Sequence, residues 1–197
     1  MLQIHWHTRR IIATIDNFFS EAECAQAIAN SEAHGFEDAT VTTKAGAVRL
    51  PDVRNNDRVI VDDAEQAASL YQRLETVLPK EFDGSQPVGL NERLRFYRYD
   101  AGQKFDWHRD GYYQRDDIRS RFTFMVYLND DFEGGGTSFD SRSFASDAFE
   151  RFTVRPKTGM ALLFHHPVMH RGDAVTQGRK YVLRSDVMYR RIDGITA

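Results

Sequence analysis

Apolar residues in the first third of the chain recur at helical spacing in two segments. The first begins at Ser20, which is followed three positions later by Glu23, the pattern of a capping box. One face of this segment carries the apolar positions Ala22, Ala25, Ile28 and Ala29. The spacing predicts a helix to about His34, where Gly35 is placed to end it.

A second amphipathic segment begins near Asp62 or Asp63 and ends before Pro79. Its apolar positions, which we expect to face the core, are Ala67, Leu70, Tyr71, Leu74 and Val77. The residues from Arg9 to Phe19 are rich in β-branched and aromatic side chains. Residues Ala39 to Arg58 show neither helical nor strand periodicity, so we expect a long loop with at most a short strand.

From about residue 88 the pattern changes to short runs of aromatic and β-branched residues separated by Gly, Asp and Asn, which predicts strands. The predicted strands are Leu94 to Tyr99, Phe105 to Asp110, Thr123 to Leu128, Gly136 to Phe139, Phe152 to Val154, Met160 to Phe164, the stretch around Met169, and Tyr181 to Tyr189. Many short strands over about 100 residues favour a mainly β fold, either a sandwich or a barrel-like jelly roll (double-stranded β-helix), with the two helices packed on its outside.

The length and composition suit one folded unit. The chain has 197 residues, of which 41% are hydrophobic and 12% aromatic, enough for one packed core. We therefore expect a single domain over 1–197, with helical support and a candidate lid loop in 1–87 and a jelly-roll core in 88–191.

Charge and cysteine content narrow the class of protein. The net charge of −3 argues against a nucleic-acid binder that relies on bulk positive charge. The single cysteine, Cys24, allows no intramolecular disulfide and no cysteine-based zinc site, which favours an intracellular, cytoplasmic protein. The sequence contains neither a secretion signal at its start nor a long apolar run, so no membrane association is expected.

The first candidate for chemistry is the segment Trp107-His108-Arg109-Asp110 on a predicted strand. Side chains two positions apart on a strand point to the same face, so His108 and Asp110 can reach one metal ion. An isolated H-x-D pattern is weak evidence, because a partly exposed His and Asp at a strand end is the simpler interpretation. Phe105 and Trp107 are interpreted as core or pocket-wall aromatics.

Three further histidines lie about sixty residues downstream: His165, His166 and His170. Any one of them beside His108 and Asp110 would complete a 2-His-1-carboxylate facial triad, whose open positions suit non-haem Fe(II). Each imidazole must be neutral to bind, so metal affinity is expected to fall as the pH drops through about 6.5.

Lys180 lies on a predicted strand where it shares one face with Val182 and Arg184. If Lys180 is buried it needs an anionic partner, which the far carboxylate of a metal-chelating dicarboxylate would supply. A solvated lysine at a strand end is the alternative. Arg184 has two interpretations, a pocket residue that binds substrate or cosubstrate, or a structural ion pair, for example with Asp186.

Three stretches carry a family resemblance: RFYRYDAGQKFDWHRDG, TFMVYLNDDFEGGGTSF and PKTGMALLFHHPVMHRGDAVTQGRKYVLRSDVMYR. In this order and spacing, over about residues 90 to 190, they resemble the 2-oxoglutarate- and Fe(II)-dependent dioxygenases of the prolyl 4-hydroxylase type. The resemblance implies that His108, Asp110 and His170 bind iron and that Lys180 pairs with the distal carboxylate of 2-oxoglutarate. It also implies that Tyr99 and Tyr127 line the cosubstrate pocket. Gly136 departs from the family pattern, which often has Glu there.

The resemblance implies an enzyme that uses Fe(II), 2-oxoglutarate and O2, with ascorbate as reductant, and releases succinate and CO2 while hydroxylating an unactivated C–H bond. The substrate is expected to be a prolyl or other amino-acid side chain in a peptide or protein. A free amino acid or other small molecule is the alternative. A metal-binding cupin without 2-oxoglutarate chemistry and a nucleic-acid demethylase are competing hypotheses, and the net charge counts against the second. The polar loop Thr40 to Arg58 is a candidate lid.

Overall fold

The computed structural model describes residues 2–8, 11–43, 46–140 and 151–192, and within them it has two helices and eighteen strands. The elements of the first ninety residues are β1 (Ile4–Thr8), β2 (Ile12–Ile15), α1 (Glu21–His34), β3 (Glu37–Asp38), β4 (Val41–Thr43), β5 (Gly46–Val48), β6 (Asp57–Asp62), α2 (Ala64–Leu74) and β7 (Ser85–Leu90). The next are β8 (Arg93–Asp100), β9 (Phe105–His108), β10 (Gln114–Arg115), β11 (Ile118–Tyr127), β12 (Glu133–Gly134) and β13 (Thr137–Asp140). The last are β14 (Phe152–Val154), β15 (Ala161–His165), β16 (Met169–Gly172), β17 (Val175–Gln177) and β18 (Arg179–Arg191).

Two antiparallel sheets form the body of the molecule. The larger sheet has the strand order β1-β2-β15-β11-β18-β8-β6-β3, with β10 paired to β11 and β7 paired to β18. The smaller sheet has the order β14-β13-β16-β9, and β12-β17 and β4-β5 form two short pairs. This arrangement confirms the predicted mainly β jelly roll with helices on its outside.

The central strands of the larger sheet divide their side chains between two cores. One cluster joins this sheet to the helices, and its strand residues include Leu94, Phe96, Phe122, Phe124, Val126 and Leu183. The other lies between the two sheets and includes Tyr97, Tyr99, Tyr127, Phe139, Phe164 and Val182. The strict alternation along β8, β11 and β18 follows from the period-two pleat, and it directs every second side chain towards the interior of the jelly roll.

Helix α1 begins where the sequence predicts. The side chain of Ser20 accepts from the Glu23 N–H at 3.2 Å, and the Ser20 N–H donates to Glu23 Oε2 at 2.7 Å, which completes the capping box. The predicted apolar face was only partly right, because Ile28 packs against the core while Ala22, Ala25 and Ala29 are exposed. The fully buried positions are Cys24, Ala27 and Ser31. The alanines on this helix are too small to favour one face strongly, so packing against the sheet decides its rotation.

Helix α2 buries Ala67, Leu70 and Leu74 as predicted, with Tyr71 and Val77 packed at the edge of the same core. It ends at Leu74, with its N-cap at Asp63. Neither of the two helices that the structure describes is long and apolar enough to cross a membrane.

The segment between the helices contains more strand than expected. It holds the β4-β5 hairpin, and its C-terminal end continues into β6, which pairs with β8. Val59 is buried there while Ile60 is exposed, an alternation too short to stand out in the sequence. Arg9 and Arg10 are the first two residues of the stretch to Phe19 that is rich in β-branched and aromatic side chains. They lie outside the described residues.

Residues before position 88 also contribute to the larger sheet, through β1, β2, β3, β6 and β7. Strand β7 was not predicted, because Pro87 and Gly89 interrupt its apolar pattern. The description of residues 1–87 as helical support was therefore incomplete.

Candidate active site

The three predicted metal ligands meet at the edge of the smaller sheet. His108 on β9 and His170 on β16 are register partners on adjacent strands, and Asp110 follows β9 by two residues. Their ligand atoms lie within 4.8 Å of one another. His108 Nε2 is 3.8 Å from Asp110 Oδ1, and His170 Nε2 is 3.7 Å from Asp110 Oδ2. The structure thus brings together two imidazoles and one carboxylate around a space that suits one cation.

Backbone carbonyls orient both imidazole rings. His108 Nδ1 lies 2.7 Å from the carbonyl oxygen of Asp106, and His170 Nδ1 lies 2.9 Å from that of Val168. With each Nδ1–H donating to its carbonyl, both Nε2 atoms present a lone pair to the central space. The ring of Phe105 stacks on His108 with centroids 3.5 Å apart and fixes that imidazole from one side.

The protonation states around this space match those that a metal requires. Burial lowers the pKa of His108 to about 3 and also lowers the pKa of His170. Burial alone would raise the pKa of Asp110, but the charge of Arg184 holds it well below its usual range. The Thr123 hydroxyl donates to Asp110 Oδ2 at 2.5 Å and further stabilises the carboxylate. Two neutral imidazoles and one carboxylate form the donor set that a facial triad needs.

Lys180 is a buried cation without a carboxylate partner. Its side chain is 2% exposed, and among the described residues no carboxylate lies within ion-pair distance of its ammonium group. Nζ donates to the carbonyl oxygen of Gly135 at 2.5 Å, and Asp173 attracts it only through space. Burial lowers the pKa of Lys180 to about 7. A desolvated ammonium in this state favours an anionic ligand, which fits the distal carboxylate of 2-oxoglutarate.

The turn of glycines before β13 forms one wall of the lysine pocket. Gly135 has a φ of +61°, and a Cβ there would lie 2.8 Å from the ring of Phe132. A Cβ at Gly136 would lie 2.5 Å from Cγ2 of Thr153, so a larger residue at this position would require Thr153 to shift.

Tyr99 and Tyr127, which the resemblance implies line the cosubstrate pocket, flank Lys180, and of the two only Tyr99 is among the residues that line the cavity. Lys180 Nζ is 5.3 Å from the centroid of each phenol ring, and the Tyr127 hydroxyl lies 2.6 Å from Thr137 Oγ1. Burial raises the pKa of Tyr99 to about 12 and raises that of Tyr127 further. Both phenols therefore stay protonated, and Tyr99, which lines the cavity, can donate a hydrogen bond to a bound anion.

The metal cluster, Lys180 and Tyr99 share one cavity of about 610 Å³. Its lining combines the metal triad, the lysine pocket, several arginines and part of the 40–58 segment. The lining residues are Thr40, Val41, Val53, Arg54, Arg58, Arg95, Tyr97, Tyr99, Phe105, His108, Arg109, Asp110, Gly111, Tyr112, Tyr113, Met125, Thr137, Phe164, His170, Gly172, Lys180, Val182, Arg184 and Asp186.

Arg184 combines the two interpretations that the sequence left open. It lines the cavity, on the same face of β18 as Lys180 and Val182, and its Nη2 lies 3.1 Å from both Asp110 Oδ2 and Asp186 Oδ1. Arg95 closes the network at 3.4 Å from Asp186. Arg184 is therefore an ion-pair residue that touches the carboxylate of the metal site.

The remaining two histidines of the downstream cluster lie outside the triad. His165 packs against the rings of Phe82 and Phe122 in the helix-side core, with centroids 5.1 and 5.4 Å away. His166 is buried with its Nε2 3.6 Å from Asp186 Oδ1. The choice of His170 as the third ligand thus agrees with the geometry.

Sequence reasoning missed the contributions of Thr123 and Met125. Thr123 supports Asp110, and Met125 lines the cavity beside it. The alternation of Thr123, Met125 and Tyr127 in the TFMVYLN segment was the available sign, since the three share one face of β11.

The cavity of this jelly roll is lined by the His-Asp-His cluster and by a buried lysine, and the cluster has the donor set of a facial-triad metal site. Residues 94–185 match the model of the 2OG-Fe(II) oxygenase superfamily. Over these residues, slightly less than half of the chain, the protein is similar to 2OG-Fe(II) oxygenases.

Two curated proteins of Arabidopsis thaliana are similar to the chain in sequence. Probable prolyl 4-hydroxylase 4 is 24% identical and prolyl 4-hydroxylase 2 is 26% identical, each over 84% of this chain. The match spans 63% of the length of each relative.

Solved structures share the fold. A prolyl hydroxylase from Trichoplax adhaerens, in complex with a peptide fragment of the oxygen degradation domain of hypoxia inducible factor, has a TM-score of 0.67 at 15% identity. The structural match covers 91% of this chain and 84% of the Trichoplax adhaerens chain. A Pseudomonas putida prolyl-4-hydroxylase has a TM-score of 0.62 at 20% identity, covering 93% of this chain and 94% of its own.

Proposed function

We propose that this protein is a 2-oxoglutarate- and Fe(II)-dependent dioxygenase that hydroxylates an unactivated C–H bond. The observation that carries the proposal is the joint placement, in one cavity, of the His108-Asp110-His170 cluster and the buried Lys180. When bound, Fe(II) with 2-oxoglutarate and O2 supplies the oxidant for hydroxylation, with succinate and CO2 as the other products and ascorbate as reductant.

The residues of this chain bind, orient and shield the reactants. His108, Asp110 and His170 would hold the metal through two imidazole nitrogens and one carboxylate. Lys180 would pair with the distal carboxylate of 2-oxoglutarate, Tyr99 would donate to it from the cavity lining, and Tyr127 would support the pocket from beside Lys180. The aromatic walls of the cavity, such as Phe164 and Phe105, exclude water from the reacting centre.

The substrate class that the relatives favour is a prolyl or other amino-acid side chain in a peptide or protein. The names of the curated relatives support this class, and the Trichoplax adhaerens enzyme was solved with a peptide. Tyr112 and Tyr113 are 58% and 40% exposed on the cavity lining, and exposed aromatic rings at a cavity mouth suit the binding of an extended peptide. The proposal includes a cytoplasmic location, which the single cysteine supports, since Cys24 is buried and free.

Succinate formation tests the reaction class. Purified protein with Fe(II), ascorbate and 2-oxoglutarate should release succinate slowly alone and faster with proline-containing peptides, which should gain the mass of one oxygen. His170→Ala should abolish succinate release, and Lys157→Ala, at an exposed lysine, is the matched control. Absence of succinate together with absence of 2-oxoglutarate binding to the metal-loaded protein would exclude a dioxygenase and favour a metal-binding cupin.

A further inference from the structure

The side chains that line the cavity carry more positive than negative charge, and the binding of the metal and the cosubstrate does not balance this excess. Six cationic side chains line it, those of Arg54, Arg58, Arg95, Arg109, Lys180 and Arg184, against the two carboxylates of Asp110 and Asp186. Fe(II) carries two positive charges and 2-oxoglutarate two negative ones, so their joint binding leaves this excess unchanged. The cavity is therefore electrostatically prepared for one more anion.

Most of these cations already have a partner. Arg184 pairs with Asp110 and Asp186, and Arg95 also pairs with Asp186. Lys180 serves the distal carboxylate of the cosubstrate in the proposed function. Among the described residues, Arg54 and Arg58 have no carboxylate within ion-pair distance.

Arg54 is held rigidly at the cavity wall. It is 6% exposed, its guanidinium lies 4.6 Å from the centroid of Tyr97 and 4.5 Å from that of Phe105, and Nε donates to Asn56 Oδ1 at 2.8 Å. Its Nη2 is buried without a hydrogen-bond partner among the described residues. The ring of Phe105 also stacks on His108, so a single aromatic side chain contacts both the Arg54 guanidinium and a candidate metal ligand.

Arg58, at the start of β6, is the second of the two arginines that have no carboxylate within ion-pair distance among the described residues. Its Nη2 donates to Thr40 Oγ1 at 2.8 Å, and its Nε is likewise buried without a partner among the described residues. Arg54 Nη1 lies 3.5 Å from the carbonyl oxygen of the same Thr40, so both guanidinium groups contact one residue and lie on the same part of the cavity wall. Two adjacent, partly unsatisfied guanidinium groups are a strong site for a planar oxyanion.

From this geometry we infer that Arg54 and Arg58 form an anion subsite that binds a carboxylate of the primary substrate. The inference rests on the proposed function, and it narrows the substrate to molecules that carry a carboxylate near the reacting C–H bond. That carboxylate comes either from a free or C-terminal amino acid or from an acidic side chain of a peptide.

Binding measurements on the protein loaded with Mn(II) and saturated with N-oxalylglycine, a non-reacting analogue of 2-oxoglutarate, test this inference. The probes are N-acetylproline, its uncharged amide N-acetylprolinamide, and N-acetylglutamate amide for the side-chain source, each titrated calorimetrically. At least one carboxylate should bind saturably, and N-acetylprolinamide should bind at least about tenfold more weakly than N-acetylproline if the α-carboxylate is the source. Tighter binding of N-acetylglutamate amide would assign the subsite to acidic side chains.

Variants locate the site. Arg58→Gln, at a half-buried position, should weaken carboxylate binding by at least about tenfold, and Arg54→Gln should do the same if its circular-dichroism melt shows a folded protein. Arg49→Gln is the matched control in the same segment, because Arg49 is exposed and pairs with Asp38 at 2.8 Å, and its effect should stay within about twofold.

Three outcomes would overturn the inference: no saturable carboxylate binding, unchanged affinity in Arg58→Gln, or a comparable loss of N-oxalylglycine affinity in Arg58→Gln, which would assign the pair to the cosubstrate. Failure of the proposed function has a different signature, namely no N-oxalylglycine binding to the wild-type protein. The carboxylate titrations can then be repeated on the Mn(II) protein alone.

Discussion

Burial sets the protonation of the residues around the candidate metal site. His108 and His170 stay neutral because charging an imidazole in this interior is unfavourable, and Asp110 stays ionised because Arg184 and Thr123 stabilise its charge. Strand parity predicted that His108 and Asp110 could meet, whereas the choice of His170 among three downstream histidines came from the family resemblance. The sequence could not predict the pKa values of these residues, because those depend on residues far away along the chain.

His170 is the predicted third ligand, and its removal should abolish metal binding. His170→Ala deletes one of only three protein ligands, so the affinity for Fe(II) or Mn(II) and the succinate yield should both fall below detection. His165→Ala is the matched control, because His165 packs among Phe82 and Phe122 in the helix-side core. Metal content measured by mass spectrometry would contradict the assignment if His170→Ala kept its metal and His165→Ala lost it.

The pH dependence of metal binding should differ from that of exposed histidines. From the sequence alone the affinity was expected to fall near about pH 6.5. Burial lowers the folded pKa of His108 to about 3 and also lowers that of His170, so both imidazoles resist protonation more than exposed histidines do. Mn(II) affinity should therefore change less than about tenfold between pH 7.5 and 5.5. A steep loss centred near pH 6.5 in folded protein would contradict this.

Lys180 should control cosubstrate affinity and its pH dependence. Lys180→Ala should weaken 2-oxoglutarate binding by more than about tenfold and leave metal affinity unchanged, since the distal carboxylate loses its charged partner. Because the pKa of Lys180 is lowered to about 7 in the cofactor-free site, the ammonium loses its proton as the pH rises above that value. Binding of 2-oxoglutarate should then take up a proton and weaken with rising pH. Calorimetry in buffers of different ionisation enthalpy measures both effects, and pH-independent binding without proton uptake would contradict them.

At the scale of elements, local chemistry predicted where helices begin better than which face they bury. The capping box at Ser20 defined the start of α1, because it depends only on residues three apart. The rotation of α1 depends on the sheet beneath it, and its alanines gave no strong preference. Strand β7 was missed for a similar reason, since its pairing with β18 compensates for Pro87 and Gly89.

The N-cap of α1 should have a measurable effect on stability. Ser20→Ala removes the acceptor for the Glu23 N–H, so the free energy of unfolding should fall by about 1 kcal/mol. Urea denaturation followed by circular dichroism measures this change. Ser20→Asp is the matched control, since it keeps an N-cap acceptor, and it should stay close to wild type. Equal stability of Ser20→Ala and wild type would contradict the role of the cap.

At the scale of the whole molecule, the larger sheet joins the two halves of the chain, residues 1–87 and the residues from 88 onwards. Strands β2 and β6, from the first half, pair with β15 and β8 from the second. The same core cluster contains Phe18 and Leu74 together with Phe124 and Leu183. Long-range pairings of this kind leave little trace in local periodicity, which is why the sequence identified the jelly roll and its site but assigned residues 1–87 too little of the sheet.

The chain should therefore unfold as one unit. Calorimetry of the full chain should give a single transition, with a ratio of calorimetric to van't Hoff enthalpy of about one. A fragment of residues 88–191 should fail to fold, because it would expose the helix-side face of the larger sheet and leave two strand edges unpaired.

Gly159→Ala offers a second test within the full chain, since a Cβ there would lie 2.1 Å from the carbonyl oxygen of Phe19, at the contact between the halves. It should lower the stability of both halves together, and two separated transitions in this variant would show that the halves fold independently.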